Sequence, residues 1–178
     1  LICGAVVFGL SVSLANQQRV GSAPPEIGFS SFAGGFAIVT CLVGAAGLWV
    51  DSIPGIVTMV MDGIAAVVYL VGGIILTSAL KSVSSCTGTS DDEIIARGYN
   101  KVLNFGCPTM DSTPTPACAD LMVTDSDLSA DPTIPRCQRA ITDYSFDFVG
   151  LALCVVMVFL GYVLARRGGS RPTVAAQI

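Results

Sequence analysis

The chain has 178 residues, 52% hydrophobic and only 12% charged, with a mean hydropathy of +0.72; a soluble domain carries about 25% charge, so this composition points to an integral membrane protein. The formal net charge of -4 and the pI near 4.5 come mostly from one hydrophilic segment, and the few, scattered Lys and Arg residues exclude nucleic-acid binding. Histidine is absent, which removes the commonest metal ligand, general base and proton relay.

The chain opens inside an apolar run, LICGAVVFGLSVSLA, without the basic region and cleavage site of a signal peptide. Residues 1–15 therefore read as most of a first transmembrane helix. A polar Pro/Gly-rich loop, NQQRVGSAPPEIG (16–28), follows. Helix two is expected over 29–50, FSSFAGGFAIVTCLVGAAGLWV, 22 residues without a charge and of the length a bilayer needs. DSIPG (51–55) reads as a tight turn, with Pro54 suited to the first turn of the next helix. Helix three, over 53–80, exceeds the hydrocarbon core at about 1.5 Å per residue, so tilt or protrusion is expected.

Residues 81–140 form the one large hydrophilic segment. Within it SDDEIIARG (90–98) reads as a short helix, with Ser90 as N-cap, Glu93 completing a capping box and Gly98 as terminator. Helix four is expected over 144–165, built on FVGLALCVVMVFLGYVLA, and residues 166–178 as a tail. The predicted fold is all-α: one domain, 1–165, forming a four-helix transmembrane bundle.

Four of the seven cysteines, Cys86, Cys107, Cys118 and Cys137, lie in the large loop. An even number there suggests two disulfides and an oxidising, extracytoplasmic side. A zinc site is the rival reading, but the gaps are wide and no C-x-x-C pair exists. The tail RRGGSR supplies three arginines and no acid, as a cytoplasmic flank should. Both termini are therefore expected in the cytoplasm and the large loop outside. Cys86 and Cys137 flank helices three and four, so a bond between them would staple the base of the loop, with Cys107–Cys118 nested inside. The alternative is Cys86–Cys107 with Cys118–Cys137. Cys3, Cys41 and Cys154 read as small packing residues.

Helices in lipid associate through close backbone approach and interhelical hydrogen bonds. Helix two offers Ala33, Ala37, Cys41 and Ala45 at four-residue spacing; helix three offers a stripe of Gly55, Thr58, Asp62, Ala66, Tyr69, Gly73 and Thr77; helix four offers Gly150, Cys154 and Gly161. Packing is the plain reading of these faces, and a sterol- or sphingolipid-sized groove the sharper one.

Asp62 is the one acid inside VTMVMDGIAAVVYLVGG (57–73), where a charge costs about 2.5 to 3.5 kcal/mol. It lies roughly 12 Å beyond Pro54 in a helix. No Lys or Arg lies within the spans to pair with it. It is expected to be neutral, donating to a hydroxyl such as Thr40 or to a backbone carbonyl, with Thr58 and Tyr69 beside it. The other readings are lipid or partner recognition and ion coupling. Asp143 and Asp147 are taken to complement the N-terminus of helix four. No H-E-x-x-H, G-x-S-x-G, P-loop, dinucleotide or C-x-x-C motif is present, so neither an enzyme, a cofactor nor a metal is expected.

FGLSVSLANQQRVGSAPP at the end of helix one, MDGIAAVVYLVGGIILTSALKSVSSC through helix three and RCQRAITDYSFDFVGLALCVVMVFLGYVLARRGG through helix four together resemble the fungal non-classical export proteins, tetraspan members of the MARVEL-domain group. The most specific elements are Asp62, Cys86 and the Arg136–Cys137 pair; the loop bearing Cys107 and Cys118 is longer than that family leads one to expect. The resemblance implies a fungal, multi-pass plasma-membrane protein of furrow-like eisosome domains, linked to sphingolipid-responsive assembly and to secretion without a signal peptide. The expected function is a non-enzymatic membrane organiser whose partners are membrane lipids, sphingolipid or sterol among them, and other plasma-membrane proteins, as a homo- or hetero-oligomer. The alternative is a small channel or transporter subunit using Asp62.

Overall fold

A computed structural model of the protein describes residues 1–47, 55–107 and 133–167. Among these residues there are five helices and no strand: α1 (Ile2–Asn16), α2 (Pro25–Ala46), α3 (Gly55–Leu80), α4 (Asp91–Tyr99) and α5 (Thr133–Arg167). Three of them, α2, α3 and α5, are long and apolar enough to cross a membrane; α1 is apolar but has 15 residues. The expected 51–54 turn and the tail beyond Arg167 lie outside the described residues.

Local chemistry sets the ends. α2 starts four residues earlier than expected because Pro25 stands at its first position, where a missing N–H costs nothing, and Glu26 faces the positive helix end. α4 starts after Ser90 as expected, but the expected capping box is not formed: the Ser90 hydroxyl donates to the Glu93 carboxylate at 2.8 Å and makes no cap bond to the backbone; the helix runs past Gly98 to Tyr99.

The larger departure is α5. It begins at Thr133, some eleven residues before the expected start at 144, so the last part of the segment assigned to the loop is helix. Pro135 falls in the first turn, where proline is tolerated. Thr133, Arg136, Cys137, Ala140, Asp143 and Asp147 are buried at helical spacing, so this polar stretch has a core-facing stripe. Its polarity marks where the apolar span ends, not where the helix ends.

The four long helices form a closed ring in which each packs on two others: α1 on α2 and α5, and α3 on α2 and α5. The pairs run antiparallel. Gly4 abuts Ala37 and Gly34 abuts Phe8, while Gly73, Tyr69 and Met59 of α3 meet Phe148, Gly150 and Gly161 of α5 in reverse order.

One end is sealed by a cap. Leu14, Ile27, Leu76, Leu80, Val102, Leu103, Ala140 and the Cys86–Cys137 disulfide make a continuous apolar core there. The bridge joins Cα atoms 5.6 Å apart across 51 residues of chain, the pairing expected from the sequence. A loop of that length stabilises by about 4 kcal/mol on the chain-entropy account. Asn100 clamps the segment after α4 to the end of α3, donating to Ala79 O at 2.7 Å while its Oδ1 accepts the Val102 N–H at 3.0 Å. The Phe105 carbonyl accepts the N–H groups of Arg19 and Val20, tying that segment to the α1–α2 loop. Gly106 is required beside it: its φ is +83°, and a Cβ would strike Val20 O. Toward the other end α5 buries no residue beyond Gly150 among those described.

Candidate functional site

Two layers of buried polar groups lie beneath and within the cap. The deeper one is built on α5. Asp143 and Asp147, one helical turn apart, are both fully buried. Asp143 Oδ2 accepts hydrogen bonds from Ser11 Oγ of α1 at 2.6 Å and Ser30 Oγ of α2 at 3.0 Å, so one carboxyl joins three helices. Among the described residues, Asp143 Oδ1 and both Asp147 oxygens have no hydrogen-bond partner. Asp147 fits because α3 has Gly72 opposite, whose Cβ would stand 3.3 Å from Asp147 Oδ2. Tyr69 of α3 is buried within electrostatic reach of Asp147. These acids do not cap a helix end as expected; the early start of α5 puts them in its third and fourth turns.

The upper layer is built on Arg136, also fully buried. Its Nε donates to Val102 O at 2.7 Å and its Nη2 to Gln18 Oε1 at 2.7 Å, while its guanidinium stacks 4.6 Å from the Phe105 ring centre. Nη1 has no partner among the described residues. Arg19 lies 5.9 Å from the same ring. Beside this lid, Asn16, Gln17, Gln18, Arg19, Phe105, Pro135 and Arg139 line a cavity of about 400 Å³. Arg97 holds the α4 side of the cap, donating to Gly88 O at 2.9 Å and to Thr133 Oγ1 at 3.3 Å.

The sequence-predicted residues are distributed along the ring rather than gathered. Asp62 is half-buried on α3, within electrostatic reach of Cys154, and makes no hydrogen bond among the described residues. Thr40, its expected acceptor, donates to Phe36 O at 3.0 Å, and Thr58 donates to Gly55 O at 2.9 Å. Tyr69 is buried with its ring against Gly150. Ala33 and Ala37 are buried, Cys41 is half-buried and Ala45 exposed; Gly73 meets the Phe148 ring, Gly161 meets Met59, and Cys154 is half-buried against Tyr69 and its neighbours. Cys107 is disulfide-bonded; Cys118, and with it the inner ring expected between them, lies outside the described residues. Among the described residues, no group of three or more His, Cys, Asp or Glu is placed to hold a metal ion.

Sequence reasoning missed the Asp143–Ser11–Ser30 junction, the Arg136 lid and the Gly4, Gly34 and Gly72 contacts. One signal was available: two acids four residues apart on one helix face, with two serines in each of two other apolar helices, Ser11 and Ser13 in α1 and Ser30 and Ser31 in α2.

The family model for the MARVEL membrane-associating domain matches residues 1–160. No curated protein and no solved structure matches the chain.

Proposed function

The chain belongs to the MARVEL family of membrane-associating domains, and from that premise we propose that it is a non-enzymatic organiser of the plasma membrane, acting through lateral contacts with lipids and other membrane proteins. One observation carries the reading. The outward flanks of α3 and α5 are lined with large exposed apolar side chains, such as Val67, Ile74, Leu153, Val156 and Phe159, on a bundle closed at one end by a packed, disulfide-bridged cap. Such a flank has a use only against lipid or a neighbouring membrane protein.

In this proposal all four long helices cross the bilayer, with both termini in the cytoplasm. The Cys86–Cys137 bridge supports an oxidising environment for the cap, and Arg166 and Arg167 support a cytoplasmic end for α5. The finer assignment is to the fungal non-classical export subfamily, with sphingolipid- or sterol-rich, eisosome-type domains and an effect on unconventional secretion; it rests on the sequence resemblance. Imaging of the tagged protein tests it: clustering at the cell surface should change when sphingolipid synthesis is blocked. A uniform distribution indifferent to the block overturns the assignment. A C-terminal tag labelled from outside intact cells overturns the orientation.

A second reading, a small channel or transporter subunit, draws on the Asp143–Asp147 pair as well as Asp62. Asp143 and Asp147 are neighbouring carboxyls shut away from water, with no cation beside them among the described residues, the kind of intramembrane polar group an ion or proton path needs. Purified protein in liposomes separates the readings: the organiser leaves proton and ion permeability at baseline, and a flux abolished by Asp147→Asn or Asp62→Asn favours the channel.

A further inference from the structure

We propose that the cavity between the end of α1 and the first turns of α5 is a binding site for the phosphodiester of an anionic membrane lipid. Its cationic groups converge from two elements. Arg19 leaves the end of α1 and Arg139 stands on α5, and both line the cavity. Arg136, stacked on the Phe105 ring, does not line the cavity itself; it is fully buried, and its Nη1 has no partner among the described residues. Among the described residues, neither Arg19 nor Arg139 has a carboxylate partner. The remaining lining is amide and aromatic: Asn16, Gln17, Gln18 and Phe105. Guanidinium forks flanked by amide donors and free of acids are the chemistry that recognises phosphate oxygens.

Helix ends add to this in part. The first turn of α5, through Pro135, brings positive partial charge to the rim. The last carbonyls of α1 oppose it, but those of Ser13 and Ala15 are taken by the N–H groups of Gln17 and Gln18.

Position selects a lipid over a soluble ion. The cavity lies at the level where the apolar stretches stop: α1 has its last large apolar residue at Leu14, and α5 exposes Ile141 just below Arg139. A headgroup phosphate stands at that depth, and acyl chains attached to it would run down the apolar sides of α1 and α5. The volume, about 400 Å³, holds a phosphate together with a small polyol. This inference rests on the organiser reading in placing the cap at a membrane surface, and with the orientation proposed above the lipid is one of the extracytoplasmic leaflet. Its test is a binding measurement, so its failure is distinguishable from a failure to cluster in cells.

The full-length chain, purified in detergent, is titrated with dioctanoyl phosphatidylinositol, with inositol phosphate, and with dioctanoylglycerol, which lacks the phosphate. The phosphatidylinositol should bind saturably, at least about tenfold more tightly than either other probe. The double variant Arg19→Gln/Arg139→Gln should weaken that binding by about tenfold or more, with its melting temperature without ligand unchanged. Arg166→Gln, at the opposite end of α5, should bind as the parent does. Equal binding of phosphatidylinositol by the double variant, or of dioctanoylglycerol by the parent, overturns the site. Inositol phosphate binding as tightly as the lipid overturns the lipid assignment and leaves a site for soluble phosphate esters.

Discussion

Gly34 of α2 and Phe8 of α1 meet backbone to backbone: a Cβ on Gly34 would lie 2.4 Å from the Phe8 amide nitrogen and 2.9 Å from Gly4 O. Backbone cannot swing aside as a long side chain can, so the two helices would have to part. Gly34→Ala should destabilise the protein by about 1–3 kcal/mol. Gly9→Ala on the same helix pair, where a Cβ meets nothing within 4 Å, should stay within about 0.5 kcal/mol of the parent. Thermal denaturation of both variants in one detergent checks the contrast, and equal melting temperatures would refute it.

Asp143 and Asp147 are equally buried, yet their removal should have opposite signs. Asp143→Ala leaves the Ser11 and Ser30 hydroxyls without their acceptor and should cost about 1–3 kcal/mol. Part of this is recovered as each serine turns back to a carbonyl of its own helix. Asp147→Ala removes a carboxyl with no partner for either oxygen, so it should be neutral or stabilising. A melting-temperature loss on Asp147→Ala as large as that on Asp143→Ala would show that Asp147 has a bound partner in the membrane.

The disulfide offers a third measurement. Cys86→Ser/Cys137→Ser should lose about 2–4 kcal/mol, because 51 residues of chain are then no longer closed in the unfolded state. Comparing the melting of the parent and this variant with and without reductant isolates the contribution, since the bond of Cys107 is present in both. A variant as stable as the parent under oxidising conditions would mean that Asn100, Arg97 and Arg136 hold the cap unaided.

Among the described residues Asp62 makes no hydrogen bond, and it is only half-buried, so its value to stability is small. Asp62→Asn and Asp62→Leu should both fall within about 0.5 kcal/mol of the parent in melting experiments. Should Asp62→Leu lose 1 kcal/mol or more, roughly the worth of an interhelical hydrogen bond in a membrane, the anchoring role expected from the sequence is restored. Loss of surface clustering in either variant at full stability would mark the carboxyl as a group read by a lipid or a partner protein.

The helices were legible because apolar runs of span length leave few alternatives, and the Cys86–Cys137 pair because both cysteines sit beside antiparallel helix ends. The start of α5 was not. Hydropathy reports where a helix leaves the apolar layer, and Arg136, Arg139 and Asp143 hid eleven residues of helix that continue into the cap. The same blind spot misplaced the polar centre. Asp62 stands out in a linear reading because its neighbours are apolar, whereas Asp143 gains its importance from Ser11 and Ser30, more than a hundred residues away in sequence. Strict four-residue spacing pointed to Ala33, Ala37 and Cys41; the closest contact fell one place over, at Gly34, because contact between backbones is decided by the residue with no side chain.

The fall in burial along α5, from the cap to the residues beyond Gly150, divides the chain into parts of different evolutionary freedom. Beyond Gly150, α5 buries nothing among the described residues, so one aliphatic residue there can replace another with little effect on folding. Around the cap, Arg136, Asn100, Gly106 and the disulfide constrain one another, and a change to any of them strands the others. Neutral drift should therefore accumulate on the half of α5 that meets the surroundings. The protein can alter which neighbours it meets in the membrane while its folding determinants stay fixed at the opposite end.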